Sequence, residues 1–387
     1  MRIIYFTTAM EKEDYASFSL LWKTSLNTSI QNLHNRLIRS LALTHEVDVI
    51  STRPFSKKFC NAKKLEAFEK QEGRITWHYL EIKRNKFVRN KSTKRQTNKI
   101  LANLNLKDCI ILTDTLNPYI LARSTKVAKK YHLPIIGICN NTPSGIHDTD
   151  RSYTTSLLEA AKDLSGYITL TSGLNELYNV GSRAYLTFEG IAENKFKAVD
   201  TEEYGNYIYY DGRLDSKSGI YELIKAFKLL NNPDINLVFS GYHGDYSRLN
   251  KIISNNPNIY NLGMIPADEV LSLESHSLVN INARPYSEDY DRYLIPGNII
   301  DYLASQSITV SVKNNRLNKA FEESVIWIES NDPQDIIDGL NKALALSNDE
   351  RQTLIKKSNA EANKLYAMSV INRKVILFLK QFLRQKD

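Results

Sequence analysis

At 387 residues, with 42% hydrophobic and 24% charged side chains, the chain is globular in composition and long enough for two domains with sizeable cores. Three widely spaced cysteines, Cys60, Cys109 and Cys139, fit neither a disulfide framework nor a zinc site, so a reducing compartment, most simply the cytoplasm, is expected. The first residues run straight into RIIYFT without a signal-peptide pattern, and no apolar run approaches the ~20 residues of a membrane span.

Short apolar runs alternate with amphipathic ones. Arg2–Thr7 reads as a buried strand, and Leu26, Ile30, Leu33, Leu37 and Leu41 recur at helical spacing. Glu46–Ser51, Asp108–Thr113, Ile135–Cys139 and Tyr167–Thr171 read as further strands, with helices over Ala122–Tyr131 and Thr155–Leu164. Tyr185–Glu189 closes this half, and Asn194–Gly205 reads as a linker.

The second half repeats the pattern. Tyr207–Tyr210 is a strand, Asp211–Ser218 a polar loop, and Ile220, Leu223, Ile224, Phe227 and Leu230 face one side of a helix. Strands follow at Asn236–Ser240, Ile259–Leu262, Leu278–Ile281, Ile308–Val312 and Val325–Ile328. Helices dominate after Asp332, the last over Ser369–Phe382. Strands separated by single helices imply parallel βαβ units, hence an α/β chain of two facing Rossmann-like domains with a cleft between them. Ligands of such sheets bind at the carboxyl ends of the strands.

The net charge of +8 is concentrated in Lys83–Lys99, which holds eight Lys or Arg and no acid, with Phe87 and Val88 embedded. A solvated face explains it, and so does an anionic membrane surface, where each basic residue contributes ~1 kcal/mol. Nucleic acid is not expected, because no recognition-helix or aromatic-rich pattern accompanies the charge.

Four signals follow successive strands of the second half. Gly212-Arg213-Leu214 with Lys217 can hold a diphosphate, since an arginine fork binds phosphate bidentately, although a surface Gly-Arg turn reads the same. Gly241 permits close approach of a ligand, and Asn261-Leu262-Gly263 offers backbone groups to a base edge. Pro296, at the first helical position, opens a helix whose first turn carries Gly297, Asn298 and Asp301. Free amides at such a terminus attract an anion, and a carboxylate one turn on can bind a sugar hydroxyl.

On these residues the second half resembles the donor domain of GT-B glycosyltransferases of the family 4 type. The whole chain resembles bacterial glycosyltransferases of exopolysaccharide and capsule gene clusters. The pieces that carry this are Asn35–Ile38, Val47–Pro54, Asp114–Asn117, Ile136–Pro143, Gly166–Thr171, Phe188–Gly190, Tyr210–Gly219 and Asn282–Ser305. The resemblance implies an acceptor-side domain over 1–195, a nucleotide-sugar donor domain over 206–368, and a C-terminal helix over 369–387 returning to the first domain. It implies transfer of a hexose-type sugar from a nucleotide-sugar, UDP-linked, to a glycan, lipid-linked or protein acceptor in surface polysaccharide or glycoconjugate assembly, with retention. Arg213 and Lys217 would neutralise the diphosphate, Pro296, Gly297 and Asn298 would present amides to it, and Asp301 would bind the ribose. Asn141 and Thr142 would lie on the acceptor side. No cofactor and no metal is implied, because the cations and the helix dipole stabilise the leaving diphosphate. The enzyme would be cytoplasmic, peripheral at the inner face of the cell membrane through Lys83–Lys99, with a partner glycosyltransferase or a homo-oligomer as further associations.

Several positions depart from the family pattern. Tyr293 stands where a first glutamate is expected, Asp301 replaces the second, and Pro296-Gly297-Asn298 replaces Pro-Ser-Lys. Gln306-Ser307-Ile308 replaces Gly-x-Pro, Lys217 is one place early, the N-terminal glycine pair is missing, and Asn140-Asn141-Thr142-Pro143 substitutes an amide for a carboxylate. Asn cannot accept a proton, so no general base is carried over to Asn141. These losses fit an active enzyme of altered donor preference or a catalytically inactive GT-B-like subunit that binds a partner or acceptor. A catalytic group is sought at His147 on the acceptor side or at Glu288, which with Asp289 and Asp291 lies near the expected diphosphate. Asp289-Tyr290-Asp291 and Asp148-Thr149-Asp150 read as solvated acidic loops, and His34 as a packed or surface histidine. An epimerase of the same layout is disfavoured, since its His and acidic base cannot be placed.

Overall fold

The computed structural model describes residues 1–22, 28–56, 60–143, 151–193, 195–242, 245–314 and 317–383. Two compact units form, one from Met1–Ile191, Arg292–Ile295 and Met368–Asp387, the other from Ala192–Asp291 and Pro296–Ala367. Among the described residues, no helix is long and apolar enough to cross a membrane.

The first unit contains β1 (Arg2–Thr7), β2 (Val47–Ser51), β3 (Lys64–Leu65), β4 (Phe68–Glu72), β5 (Ile75–Tyr79), β6 (Ile82–Lys83), β7 (Cys109–Asp114), β8 (Ile135–Cys139), β9 (Gly166–Thr169) and β10 (Ala184–Thr187). Its main sheet runs β10-β9-β8-β7-β1-β2-β5-β4, with only β4 antiparallel to its neighbour. β2, β7 and β8 are buried along their whole length, as expected of parallel strands covered on both faces. The β4–β5 hairpin turns at Gly73, whose φ of +57° suits glycine. Its outer strand, FEKQE, has no apolar run, so periodicity gives no sign of it; charge on an edge strand discourages pairing with another chain. Helix Met368–Lys380 lies against helix Thr28–Ala42, burying Ile371, Val375 and Leu379. Asn372 Nδ2 donates to Ser40 O at 2.7 Å and Ser40 Oγ to Met368 O at 2.7 Å.

The second unit contains β11 (Tyr207–Arg213), β12 (Asn236–Tyr242), β13 (Ile259–Gly263), β14 (Val279–Asn282), β15 (Ile308–Val312) and β16 (Ile326–Ile328). The order β13-β12-β11-β14-β15-β16, parallel throughout, is that of a doubly wound sheet whose order reverses between β11 and β14. Two groups of helices accompany the sheet: Ile220–Leu230 packs with Pro333–Leu344, while Gly297–Ala304 packs with Ala267–His276 and Asn348–Tyr366.

Two local expectations change. The loop expected from Asp211 begins only at Leu214, because Asp211, Gly212 and Arg213 continue β11 in register with Ser240, Gly241 and Tyr242. Pro296 caps rather than opens its helix: its ψ of 118° is outside the helical range, and Gly297 is the first helical residue.

Close backbone approach explains two glycines of this unit. A Cβ on Gly241, at φ +150°, would lie 1.7 Å from Gly212 O, and one on Gly219, at φ +79°, would lie 1.9 Å from Ala283 O. Gly297 has a negative φ, and a Cβ there meets nothing within 4 Å. Gly241→Ala and Gly219→Ala are therefore each expected to destabilise the unit by about 2 kcal/mol or more in urea unfolding, whereas Gly297→Ala should stay within about 0.5 kcal/mol of wild type. Equal effects at the three sites would contradict this packing.

Candidate functional site

The carboxyl end of β11 is the centre of the site, and its backbone is held from a neighbouring helix. Asn298 Nδ2 donates to Asp211 O at 2.6 Å, and Asp211 N–H donates to Tyr302 Oη at 2.7 Å. Both side chains come from helix Gly297–Ala304, four residues apart and so on one face. Ile299, Ile300, Tyr302 and Leu303 are the buried residues of this helix. Gly212 pairs with Gly241 of β12, where a Cβ would lie 1.7 Å from Gly212 O.

The start of that helix has no side-chain cap, because Pro296 has none to offer. Some helices elsewhere in the chain are capped by Asn85, Asn117, Asp245 and Ser347, while those starting at Ile220, Ala267 and Pro333 likewise have no side-chain cap. Among the described residues, the first-turn amides of Gly297 and Asn298 are thus without a side-chain cap, beside the positive end of the helix dipole. The side chain of Asn298 is committed to β11, so its contribution toward an anion is a backbone amide.

The charges at this end are mixed. Arg213 is exposed and its Nε donates to Asp215 Oδ2 at 2.8 Å; Lys217 is exposed on the same loop, its N–H donating to Asp215 Oδ1 at 3.1 Å. Asp301 Oδ1 accepts from Glu193 N at 3.3 Å. Asp211 was absent from the expected site, yet its half-buried carboxyl lies there. Burial raises its pKa to about 6, helped by the charge of Asp301 and opposed by the hydrogen bonds from Ser240 Oγ and the Gly212 N–H. Ser240 Oγ also meets Tyr209 Oη at 2.6 Å. An acid at a strand end reads as an ordinary turn residue, so the one available signal was its place directly before Gly212-Arg213.

The structure therefore brings Gly212, Arg213, Gly241, Pro296, Gly297, Asn298 and Asp301 to one end of the second sheet, with Lys217 on the adjoining loop. Gly263 ends β13, φ +63°, two strands from β11. Glu288 is exposed at the start of the helical turn Glu288–Asp291. The solvated reading of that turn fails at Asp291, which is buried, ion-paired to Arg284 and accepting Ser287 N at 2.8 Å. Arg284 lies only seven residues away, which makes burial of the charge tolerable. Tyr293 packs against the first unit's core.

In the first unit, Asn141 Oδ1 accepts Thr142 N–H at 2.7 Å and Asn141 O accepts from Tyr178 Oη at 3.1 Å. His34 is fully buried, its Nδ1 2.7 Å from Tyr5 Oη; burial lowers its pKa despite Asp114, so the imidazole is neutral. Asp148, Thr149, Asp150 and His147 lie outside the described residues.

Residues 192–361 match the family Glycosyl transferases group 1. No curated protein is similar to the chain in sequence. Among solved structures, the chain resembles trehalose-6-phosphate synthase OtsA, with 12% identity over 100% of both chains and a TM-score of 0.66. It resembles Anabaena Alr3699/HepE in complex with UDP-glucose, with 10% identity over 98% of this chain and 100% of that one and a TM-score of 0.66. A trehalose-6-phosphate synthase studied for glycosyl transfer with retention gives 12% identity over 98% and 99% and a TM-score of 0.62. At these identities the likeness is one of fold. The chain has the GT-B fold, built of two Rossmann-like units, and its second unit carries the group 1 glycosyl transferase match.

Proposed function

We propose that this chain is a metal-independent GT-B glycosyltransferase of the family 4 type that moves a sugar from a UDP-linked donor to a glycan, lipid-linked or protein acceptor, with retention, in surface polysaccharide or glycoconjugate assembly. The observation that supports it is the uncapped helix start at Gly297 beside the end of β11, inside the stretch that matches group 1 glycosyl transferases. The sheet order reverses there, where doubly wound sheets bind nucleotides. UDP and UDP-glucose occupy HepE, and the studied trehalose-6-phosphate synthase transfers with retention.

In this reading the amides of Gly297 and Asn298 take the diphosphate, Arg213 turns from Asp215 to it, Lys217 adds a second cation, and Asp301 holds the ribose. As the bond from the anomeric carbon to the diphosphate breaks, charge grows on the leaving oxygen, and these groups lower its energy. Asn141 and Thr142 are assigned to the acceptor. The inactive-subunit reading draws on one observation: the asparagine at the expected lysine position serves the fold, through Asp211 O.

Calorimetry with UDP tests the donor assignment, with a nucleotide-sugar hydrolysis screen to separate enzyme from binder. Wild type should bind UDP, and Arg213→Ala should weaken binding roughly 10- to 100-fold, the loss of one charge-assisted contact. No measurable UDP binding by wild type sinks the reading; binding without turnover of any donor supports the inactive subunit.

We propose further that residues 83–99 dock the enzyme on the anionic inner face of the cell membrane. Residues Lys86–Ala102 form a helix on which Val88, Lys91, Lys94, Arg95 and Lys99 are exposed, and Phe87 is 85% exposed. An aromatic ring left in water among cations suits a lipid interface, where ring and charge are both accommodated. In flotation assays the protein should follow anionic vesicles, and Lys91→Glu with Lys94→Glu and Arg95→Glu should cut recovery at least about tenfold. Equal recovery with neutral and anionic vesicles contradicts electrostatic docking.

A further inference from the structure

We infer that Asp211 couples donor binding to a proton: a nucleotide-sugar binds tightly only when this carboxyl is protonated, so affinity falls as pH rises. The inference rests on the donor-site reading above. It adds to that reading a residue, a direction and a pH dependence of the site.

The geometry surrounds one carboxyl with polar groups and few cations. Ser240 Oγ, which lies 2.6 Å from Tyr209 Oη, donates to Asp211 Oδ1 at 2.9 Å. The residue's own N–H and C=O are taken by Tyr302 and Asn298. The charged and titratable groups that face this end come from every element around it. β11 supplies Tyr209 and Tyr210, β12 supplies Tyr242, helix Ala267–His276 supplies Glu274, and helix Gly297–Ala304 supplies Asp301 and Tyr302. The loop after β11 supplies Arg213, Asp215 and Lys217, and Glu193 meets Asp301. Tyr209, Tyr210 and Tyr302 are neutral, since burial raises each of them. Two cations, Arg213 and Lys217, thus share the end of the sheet with the acids Asp301, Asp215 and Glu274, before Asp211 is counted. Among the described residues, no group of three or more His, Cys, Asp or Glu is placed to hold a metal ion that would offset them.

A diphosphate diester brings two further negative charges to the helix start at Gly297. Ionised Asp211 would repel it; protonated Asp211 does not, and its O–H becomes a hydrogen-bond donor. The carboxyl already resists ionisation in the free protein. A bound diphosphate pushes it further the same way, so the complex holds a proton that the free protein has released near neutral pH. Nothing covalent changes: one proton moves from solvent to the carboxylate on binding.

The test is calorimetry with UDP-glucose, whose diphosphate diester does not titrate between pH 5 and 9, on wild type and Asp211→Asn. Wild type should lose affinity roughly tenfold or more from pH 5.5 to 8.5, the effect of a one-unit change in pKa on binding. Buffers of different ionisation enthalpy should show proton uptake near pH 7. Asp211→Asn, which cannot ionise, should give a flat profile, no proton uptake, and an affinity at pH 8.5 above that of wild type. Thermal unfolding checks that the variant folds, and it carries its own sign. A carboxyl whose pKa is raised in the folded state gives its full stability below the unfolded value and loses it as pH rises through about 6. Asp211→Asn should therefore melt higher than wild type at pH 8 and lose that advantage at pH 4. UDP-glucose binding by wild type with the same affinity across the range overturns the proton coupling and leaves the donor site standing. Absence of binding at every pH overturns both.

Discussion

The second unit depends on how the end of β11 is tied to helix Gly297–Ala304. A strand end at a switch point has backbone groups no neighbouring strand can satisfy, and here Asn298 and Tyr302 supply the missing partners of Asp211. That bond fixes the helix start against the strand end, and with it the direction in which the amides of Gly297 and Asn298 point. Gly241 completes the arrangement on the neighbouring strand, since a Cβ there would lie 1.7 Å from Gly212 O and force the strands apart. Rigid backbone suits a site whose task is to hold a charge as it develops.

The same tie has a chemical consequence. Anchoring the strand by its backbone leaves the Asp211 side chain half-buried, hydrogen-bonded to Ser240 and near Asp301. A lysine at position 298 would have supplied a cation; the asparagine supplies a hydrogen bond to the fold. In the first unit, too, polar side chains hold a strand-end loop. Gln31 and Asn35 grip Met10 through its N–H and C=O, at 2.6 to 3.0 Å, and so shape the segment after β1.

Much of the fold was legible in the sequence because parallel strands buried on both faces are continuous apolar runs, and IIGIC or NLVFS can hardly be anything else. The β4–β5 hairpin was not, because an edge strand such as FEKQE is made of the residues that also make loops. Asp211 was hidden for a related reason: Asp-Gly-Arg reads as a turn, and only the register with Ser240, Gly241 and Tyr242 shows three more strand residues. Asp291 looked solvated because its partner Arg284 belongs to a different local pattern. Which glycines are forced by close approach also lies beyond sequence: Gly241 and Gly297 look alike in composition, and only the backbone beside them separates a 1.7 Å clash from open space.

The account turns on the helix start at Gly297 being the diphosphate site. A crystal structure with UDP bound tests this most directly. The account predicts phosphate oxygens about 2.7–3.2 Å from the amide nitrogens of Gly297 and Asn298, with Arg213 turned away from Asp215. A nucleotide seated elsewhere, with those amides facing only solvent, would contradict it.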